Sequence, residues 1–276
     1  MLYLVGTPIG NLEDITLRAL RILKDVDLIA AEDTRQTLKL LNKYEIKNNL
    51  ISYHEHNKKE KGAELVEKLK QGQNIALVTD AGMPGISDPG EDLVKLCIEN
   101  NIEFTIIPGP TAFTTALVMS GLSDESFVFI GFLNAKKTER EAKLTELKNE
   151  KHTLIFYEAP HKLLKTLESI KDILGNRKIA VCRELTKKFE QSIRGTTEKV
   201  IAYFNENEPK GEFVIIVNKA ENEEIVFDIP IYEQIEKLIN EGMDKKSAIM
   251  HVSRIRNLSK RVVYNEYENV KKEKIM

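Results

Sequence analysis

Cysteine is nearly absent from this 276-residue chain. Cys97 and Cys182 lie far apart, so neither a disulfide framework nor a cysteine metal clip is on offer. A reducing cytoplasm is the expected compartment. Long apolar runs are missing too: stretches such as Ile75 to Val78 meet a charge within a few residues. Nothing approaches the roughly 20 apolar residues of a membrane span, and no membrane partner is expected. The opening Leu2-Tyr3-Leu4-Val5 has no basic leader before it and reads as a first strand. No internal repeat or low-complexity tract interrupts the pattern. Net charge is only −2, which excludes a polycation and leaves nucleic acid to a local patch. One bias exists: Lys245 to Met276 holds nine Lys or Arg against three Glu, a balance of +6. A solvated helical face in a lysine-rich protein accounts for it equally well. What is present, 42% hydrophobic and 30% charged residues, describes a folded globular protein. The length suits two ordinary domains, or two plus a small appendage.

Strand-like and helix-like segments alternate. Apolar runs at Leu2–Val5, Leu28–Ala31, Leu50–Tyr53, Ile75–Val78 and Phe104–Ile107 are bounded by turn residues. Between them, Ile15–Leu23, Thr37–Leu41 and Leu65–Leu69 space their apolar residues three or four apart, as helices do. This alternation predicts βα units and a largely parallel sheet. A second set of strands follows at Phe127–Gly131, Leu154–Tyr157, Ile179–Cys182 and Phe213–Val217, with helices near Glu139–Leu147 and Leu163–Leu174. Gln191 to Arg194, closely followed by Gly211–Val217, reads as an antiparallel addition. Gly and Pro cluster between Pro108 and Leu122, where a first boundary is expected. Ala220-Glu221-Asn222-Glu223-Glu224 reads as a linker, and two or three short helices follow, with Asp244 as an N-cap before Lys245–Ile255.

Three Gly-rich loops follow predicted strands, where open α/β sheets place their ligands. They are Gly6-Thr7-Pro8-Ile9-Gly10-Asn11-Leu12, the long Asp80-Ala81-Gly82-Met83-Pro84-Gly85-Ile86-Ser87-Asp88-Pro89-Gly90, and Pro108-Gly109-Pro110-Thr111-Ala112. Glycine lets backbone groups approach a ligand directly, and proline stiffens the loop beforehand. Together they would suit a ligand combining a carboxylate, a ribose and an adenine. Each is also compatible with a plain turn, the second loop least so. None is a G-x-G-x-x-G dinucleotide fingerprint, and none carries the Gly-Lys-Ser/Thr of a nucleoside-triphosphate loop.

Polar clusters stand at other strand ends. Glu32-Asp33-Thr34-Arg35 and Ser52-Tyr53-His54-Glu55-His56-Asn57 follow the second and third strands. His54 and His56, two apart, share a face if they are on a strand. Zinc would need further ligands that are not nearby, so a hydrogen-bonding pair or an RNA-facing edge is the better reading and no metal is expected. Further on, Lys136, Lys137, Arg140, Arg183, Lys187 and Arg194 are candidates to converge on one rim and grip phosphates. Scattered surface ion pairs are the alternative.

Taken together, these blocks resemble the bacterial small-subunit (16S) rRNA cytidine 2′-O-methyltransferases, a branch of the tetrapyrrole methylase superfamily. The resemblance is carried by Gly6–Leu20 (G-T-P-I-G-N-L-E-D-I-T-L-R-A-L), Glu32–Arg35 (E-D-T-R), Ser52–Asn57 (S-Y-H-E-H-N) and Asp80–Gly90 (D-A-G-M-P-G-I-S-D-P-G). Pro108–Ala112 (P-G-P-T-A), Phe156–His161 (F-Y-E-A-P-H) and Arg183–Lys187 (R-E-L-T-K) complete it. Met83 stands where the family usually has Thr, Thr79 where Ser is common, and Asn134 where Pro is usual.

The resemblance implies two α/β domains of tetrapyrrole-methylase type with the cofactor cleft between them, plus a small C-terminal helical domain. The boundaries expected are 1–115, 116–220 and 228–276. It implies a homodimer that uses S-adenosylmethionine to methylate a cytidine ribose of the decoding region, in 16S rRNA or the 30S subunit. It carries the cofactor site onto Pro8, Asp80, Gly82, Met83, Pro84, Ile86, Ser87, Asp88, Thr111 and Ala112, with Phe132, Leu133 and Ala180 from the second domain. A ribose hydroxyl needs a general base, and the candidates are Asp33 first, then Glu32, Lys187, His54 and Glu55. The alternative for Glu32 and Asp33 is a scaffold role, paired with Arg35 and Arg18. Candidates to hold RNA are Arg35, His54, Lys136, Arg140, His161 and Arg183. Two rival functions are methylation of a small tetrapyrrole and a non-catalytic RNA-binding ribosome-assembly factor.

Overall fold

The computed structural model describes residues 1–122, 126–220, 229–256 and 258–273. Two compact units emerge, Met1–Ala220 and Glu221–Met276. Beyond Ala220, the expected linker lies outside the described residues.

The first unit opens with strands β1 (Leu2–Val5), β2 (Leu28–Ala31), β3 (Leu50–Ser52), β4 (Ile75–Val78) and β5 (Phe104–Ile107). They pair in the order β3-β2-β4-β1-β5, every pair parallel. Side chains alternate across a strand, so a strand covered on both faces must be apolar at every position. β4, I-A-L-V, is buried throughout. Its Ile75 and Leu77 join Leu2 and Leu4 under helices α3 (Lys58–Lys70) and α4 (Gly90–Glu99). Ala76 and Val78 join Val5 on the other face under α1 (Leu17–Asp25) and α2 (Thr34–Lys43). Each fully buried Leu or Ile stabilises the fold by about 1.5–3 kcal/mol relative to exposure. α1 starts two residues later than its apolar spacing suggests, because Thr16 caps it by accepting from the Ala19 N–H at 3.0 Å.

The second sheet comprises β6 (Phe127–Phe132), β7 (Thr153–Glu158), β8 (Lys178–Arg183), β9 (Gln191–Thr196) and β10 (Phe213–Val217), in the order β6-β7-β10-β8-β9. Here the parallel expectation fails, since only β6 and β7 run parallel. The connection from Arg183 to Gln191 is too short for a parallel crossover, which takes a dozen residues or more, so β8 and β9 form a hairpin. β9 and β10 do not pair as expected, because β8 lies between them and is antiparallel to both. Helices α6 (Lys137–Glu146), α7 (Leu163–Leu174) and α8 (Thr197–Glu206) cover one face. The other is covered by α5 (Ala112–Ser120), mostly apolar, through Ala116 and Leu117 against Ile155, Ala180, Val214 and Ile216. Because α5 follows β5 directly, it ties the two sheets together. Arg194 donates to the carbonyls of Met119 and Ser120, closing the C-terminus of α5.

The second unit is built from α9 (Ile231–Asn240), α10 (Lys245–Ile255) and α11 (Lys260–Glu273) around Ile231, Ile235, Ile249, Val252, Val263 and Tyr267. Asp244 caps α10 by accepting from the N–H groups of Lys246 and Ser247 at 3.0 and 3.1 Å. Among the described residues, no helix is long and apolar enough to cross a membrane.

Candidate active site

Strand order decides which loops meet. Because β2, β4, β1 and β5 are neighbours, the loops after them stand side by side at the carboxyl edge of the first sheet. Thr7 and Gly82 exchange two backbone hydrogen bonds, 2.9 and 3.1 Å, joining the first loop to the second. Gly6 and Gly109 join the first to the third: a Cβ on Gly6 would stand 2.8 Å from the Gly109 Cα, too close for any side chain. The first loop also meets the turn after β8. A Cβ on Gly10 would lie 2.6 Å from the Leu185 carbonyl, and the Asn11 N–H donates to Thr186 Oγ1 at 2.9 Å.

Asp88 organises the long loop. Its Oδ1 accepts from the N–H groups of Gly85 and Gly90 at 2.9 and 2.7 Å, and its Oδ2 from Gly85 and Ile86 at 3.0 and 3.2 Å. These bonds hold Ser87 at φ 66°, a left-handed conformation that costs a non-glycine residue about 1–2 kcal/mol. Burial nonetheless raises the Asp88 pKa, against the pull of the backbone donors.

These loops enclose one side of a cleft of about 500 Å³. The second sheet supplies the other side: Phe132 at the end of β6, Tyr157–Pro160 after β7, Leu185 after β8, and Glu212–Val214 at the start of β10. Among the described residues, five carboxylates line it, from Glu32, Asp80, Asp88, Glu158 and Glu212, and no Lys, Arg or His does. Glu32 Oε2 accepts from Thr79 Oγ1 at 2.6 Å. Burial, then the charge of Glu32, raises the pKa of Asp80. Glu158 is buried, with Thr166 Oγ1 donating to Oε2 at 2.6 Å and the Ala159 N–H to Oε1 at 2.8 Å. A cleft with surplus negative charge favours a ligand that carries positive charge.

Of the residues expected around a cofactor, Asp80, Gly82, Met83, Ile86, Ser87, Asp88, Thr111, Ala112 and Phe132 line this cleft. Pro8 and Pro84 stiffen its loops without lining it. Leu133 and Ala180, expected to contribute backbone, have side chains in hydrophobic clusters, and the cluster of Ala180 includes the cleft residues Ile9, Leu185 and Val214. Ile9, Tyr157 and Leu185 also line the cleft from within the quoted motifs without having been singled out, and Glu212 and Val214 line it from outside every motif. Glu158 and Pro160 were legible in the E-A-P-H block at a strand end, but nothing in the spacing signals that β10 enters the middle of its sheet.

The candidate bases separate. Glu32 lines the cleft. Asp33 does not: it caps α2 through the Arg35 N–H at 2.8 Å and holds the Arg35 guanidinium through both oxygens, at 3.0 and 2.7 Å. The hydrogen bond from that guanidinium lowers the Asp33 pKa to about 2, which makes it a weak base. Lys187 lies between Glu184 and Glu212 at 3.1 and 3.0 Å. Burial pulls its pKa down, but the two carboxylates outweigh it and raise the value, so the amine stays charged and is no base.

The rim of phosphate-binding cations is broken up. Arg140 is 5% exposed, with Nε donating to Ser169 Oγ at 3.0 Å and Nη1 to the Ala135 carbonyl at 3.1 Å; it ties α6 to α7 and is unavailable to RNA. Lys136, just before α6, and Lys137, its first residue, pair with Glu139 and Glu141 of that helix. Arg183 is half-buried with a shielded Nε, while Arg35 and His161 are exposed. β3 ends at Ser52, so His54 and His56 sit in a turn; their rings meet edge to face at 5.9 Å. Among the described residues, no cluster of three His, Cys, Asp or Glu is placed to hold a metal ion.

Comparisons with known proteins agree with this layout. The family model described as Tetrapyrrole (Corrin/Porphyrin) Methylases matches residues 1–201. The chain is 50% identical over 273 residues to a Bacillus subtilis protein named ribosomal RNA small subunit methyltransferase I, covering 97% of this chain and 94% of that one. A Thermotoga maritima protein of the same name is 47% identical over 220 residues, 80% of this chain and 99% of its own length. Among solved structures, the uroporphyrin-III C-methyltransferase of Thermus thermophilus, complexed with S-adenosylhomocysteine, superposes with a TM-score of 0.58 at 17% identity, covering 79% of this chain and 97% of that one.

Proposed function

This chain belongs to the tetrapyrrole methylase family, and we propose that it transfers a methyl group from S-adenosylmethionine to a cytidine ribose 2′-hydroxyl in the decoding region of small-subunit rRNA. The observation that carries the reading is the acidic, glycine-walled cleft. Its volume falls within the ~300–1,000 Å³ of small-molecule sites. Its carboxylates fit a donor bearing a sulfonium and an ammonium, and the backbone of Gly82, Ala81 and Thr111 fits polar groups on the same molecule. When bound, the donor supplies a methyl group that is already strongly electrophilic.

The protein's remaining task is placement, worth about 7–11 kcal/mol in favourable cases, and removal of the hydroxyl proton. Phe132, Met83, Ile9 and Val214 exclude water around the reacting atoms. Glu32, held by Thr79, is the carboxylate we assign to receive the proton. Asp33 and Arg35 form a unit at the mouth, with the exposed Arg35 free to meet a phosphate beyond its own carboxylate.

We take the enzyme to be a homodimer of three-domain chains acting in the cytoplasm, on rRNA or on the 30S subunit. The rRNA substrate is favoured over a tetrapyrrole because relatives near 50% identity over almost the whole chain carry rRNA methyltransferase names. The tetrapyrrole enzymes are alike at 21% identity or below. The deciding experiment is mass-spectrometric mapping of ribose methylation in small-subunit rRNA from cells with and without the gene. Loss of one methylated cytidine, restored by the gene, is expected. An unchanged methylation map, alongside calorimetric binding of the donor, would move the substrate elsewhere.

A further inference from the structure

The second unit has a divided charge that methyl transfer does not use. From Ile231 to Asp244, four acidic residues face one lysine, whereas from Lys245 to Glu273 eight Lys or Arg face three Glu. In the first unit, lysines such as Lys58, Lys61 and Lys143 are closed off by a neighbouring glutamate or aspartate. Lys246, Arg254, Lys260 and Arg261 are all exposed, and among the described residues none has a carboxylate partner. Unpaired like charges on so small a unit repel one another, and a polyanion would relieve that repulsion.

The cations also share a geometry. α10 and α11 are joined by four residues, 256–259, while α9 packs against both, which is a helix-turn-helix arrangement. Val263 and Tyr267 of α11 face the core; Arg261, Val262 and Asn265 point away from it, and Lys260 and Tyr264, beside the core stripe, are exposed as well. Val262 and Tyr264 are each 47% exposed there, and Lys245 Nζ stands 5.7 Å from the Tyr264 ring centroid. A single-stranded partner would call for a groove with successive stacking rings. This face is a helix side with one exposed ring, which suits a regular array of phosphates.

We propose that the outward face of α10 and α11, centred on Lys260 and Arg261, docks on the phosphate backbone of a double-stranded RNA stem. The choice of RNA rests on the rRNA substrate proposed above. A relative nearly all of whose length is matched by 220 residues of this chain shares the rRNA methyltransferase name, which fits a role in affinity rather than in chemistry. The closed major groove of A-form RNA limits the contact to backbone and shape, so recognition should be largely independent of sequence.

The test uses the full chain, a fluorescent RNA hairpin with a stem of about 20 base pairs, longer than the ~16 that two successive minor grooves span, and a DNA hairpin of the same sequence. The double variant K260E/R261E should bind the RNA hairpin at least about tenfold more weakly, with the logarithmic salt slope smaller by about 2. Melting temperature and donor affinity should be unchanged. The pair K246E/R254E should act in the same direction. Binding of the RNA hairpin by both variants as tightly as by the parent overturns the proposal, as does equal or tighter binding of the DNA hairpin by the parent. Methylation of 30S subunits by the parent is measured separately. If that fails while the hairpin results hold, the reaction assignment falls and the docking surface stands.

Discussion

Replacing Asp88 with alanine tests the architecture of the cleft most directly. Among the described residues, the carboxylate is the sole side-chain acceptor for three loop N–H groups, those of Gly85, Ile86 and Gly90, and Gly90 begins α4. A hydrogen bond to a charged group contributes about 1.5–3 kcal/mol. The Ile86 contact is long at 3.2 Å, and burial of the carboxylate, seen in its raised pKa, offsets part of the gain. A net loss of about 2–4 kcal/mol in loop order follows from two good bonds so discounted. Without the carboxylate, Ser87 has little reason to stay at φ 66°, and the donor must restore that order when it binds. If about 2 kcal/mol of the loss falls on binding, donor affinity drops roughly 30-fold. Calorimetric titration with S-adenosylmethionine measures it. Asp88→Asn keeps one acceptor oxygen and should fall between the two. Affinity in Asp88→Ala within about threefold of the parent, with the melting temperature unchanged, would refute the argument.

Other outcomes follow from the same geometry. Glu32→Gln should slow single-turnover methyl transfer by roughly 10²–10⁴-fold with donor affinity nearly kept, whereas Asp33→Asn should slow it far less; the reverse order would return the base to Asp33. Asp80 carries a raised pKa from burial and from Glu32, so the folded state holds its proton more tightly than the unfolded chain does. Its charge therefore costs stability above the folded-state pKa, and the cost vanishes as pH falls below the ordinary value near 3.8. Asp80→Asn should accordingly raise the melting temperature at neutral pH but not at about pH 3, while weakening donor binding. Arg140→Ala should cost about 2–3 kcal/mol of stability in denaturant unfolding by leaving the Ser169 hydroxyl and the Ala135 carbonyl without a donor, with hairpin binding unaffected.

Much of this was written in the order of residues along the chain. The parallel sheet was legible because strands covered on both faces are apolar at every position, as β4 is. The donor loops were legible because glycine and proline crowd only where backbone must pass close or bend sharply. Gly6 against Gly109 is such a place. Asp244 announced α10 because a short acidic side chain before an amphipathic run has few other uses. By contrast, Arg140 looks like any other cation in a basic stretch. Only the packing of α6 on α7 removes it from the surface.

Composition, periodicity and loop chemistry thus determined the elements, the all-parallel first sheet and the loops that carry the cleft, since these depend on residues near in sequence. Tertiary structure alone decided that β10 enters between β7 and β8, that Glu212 and Val214 reach the cleft, and which charges stay available. Those outcomes depend on pairings between residues tens of positions apart, for which local sequence holds no physical signal.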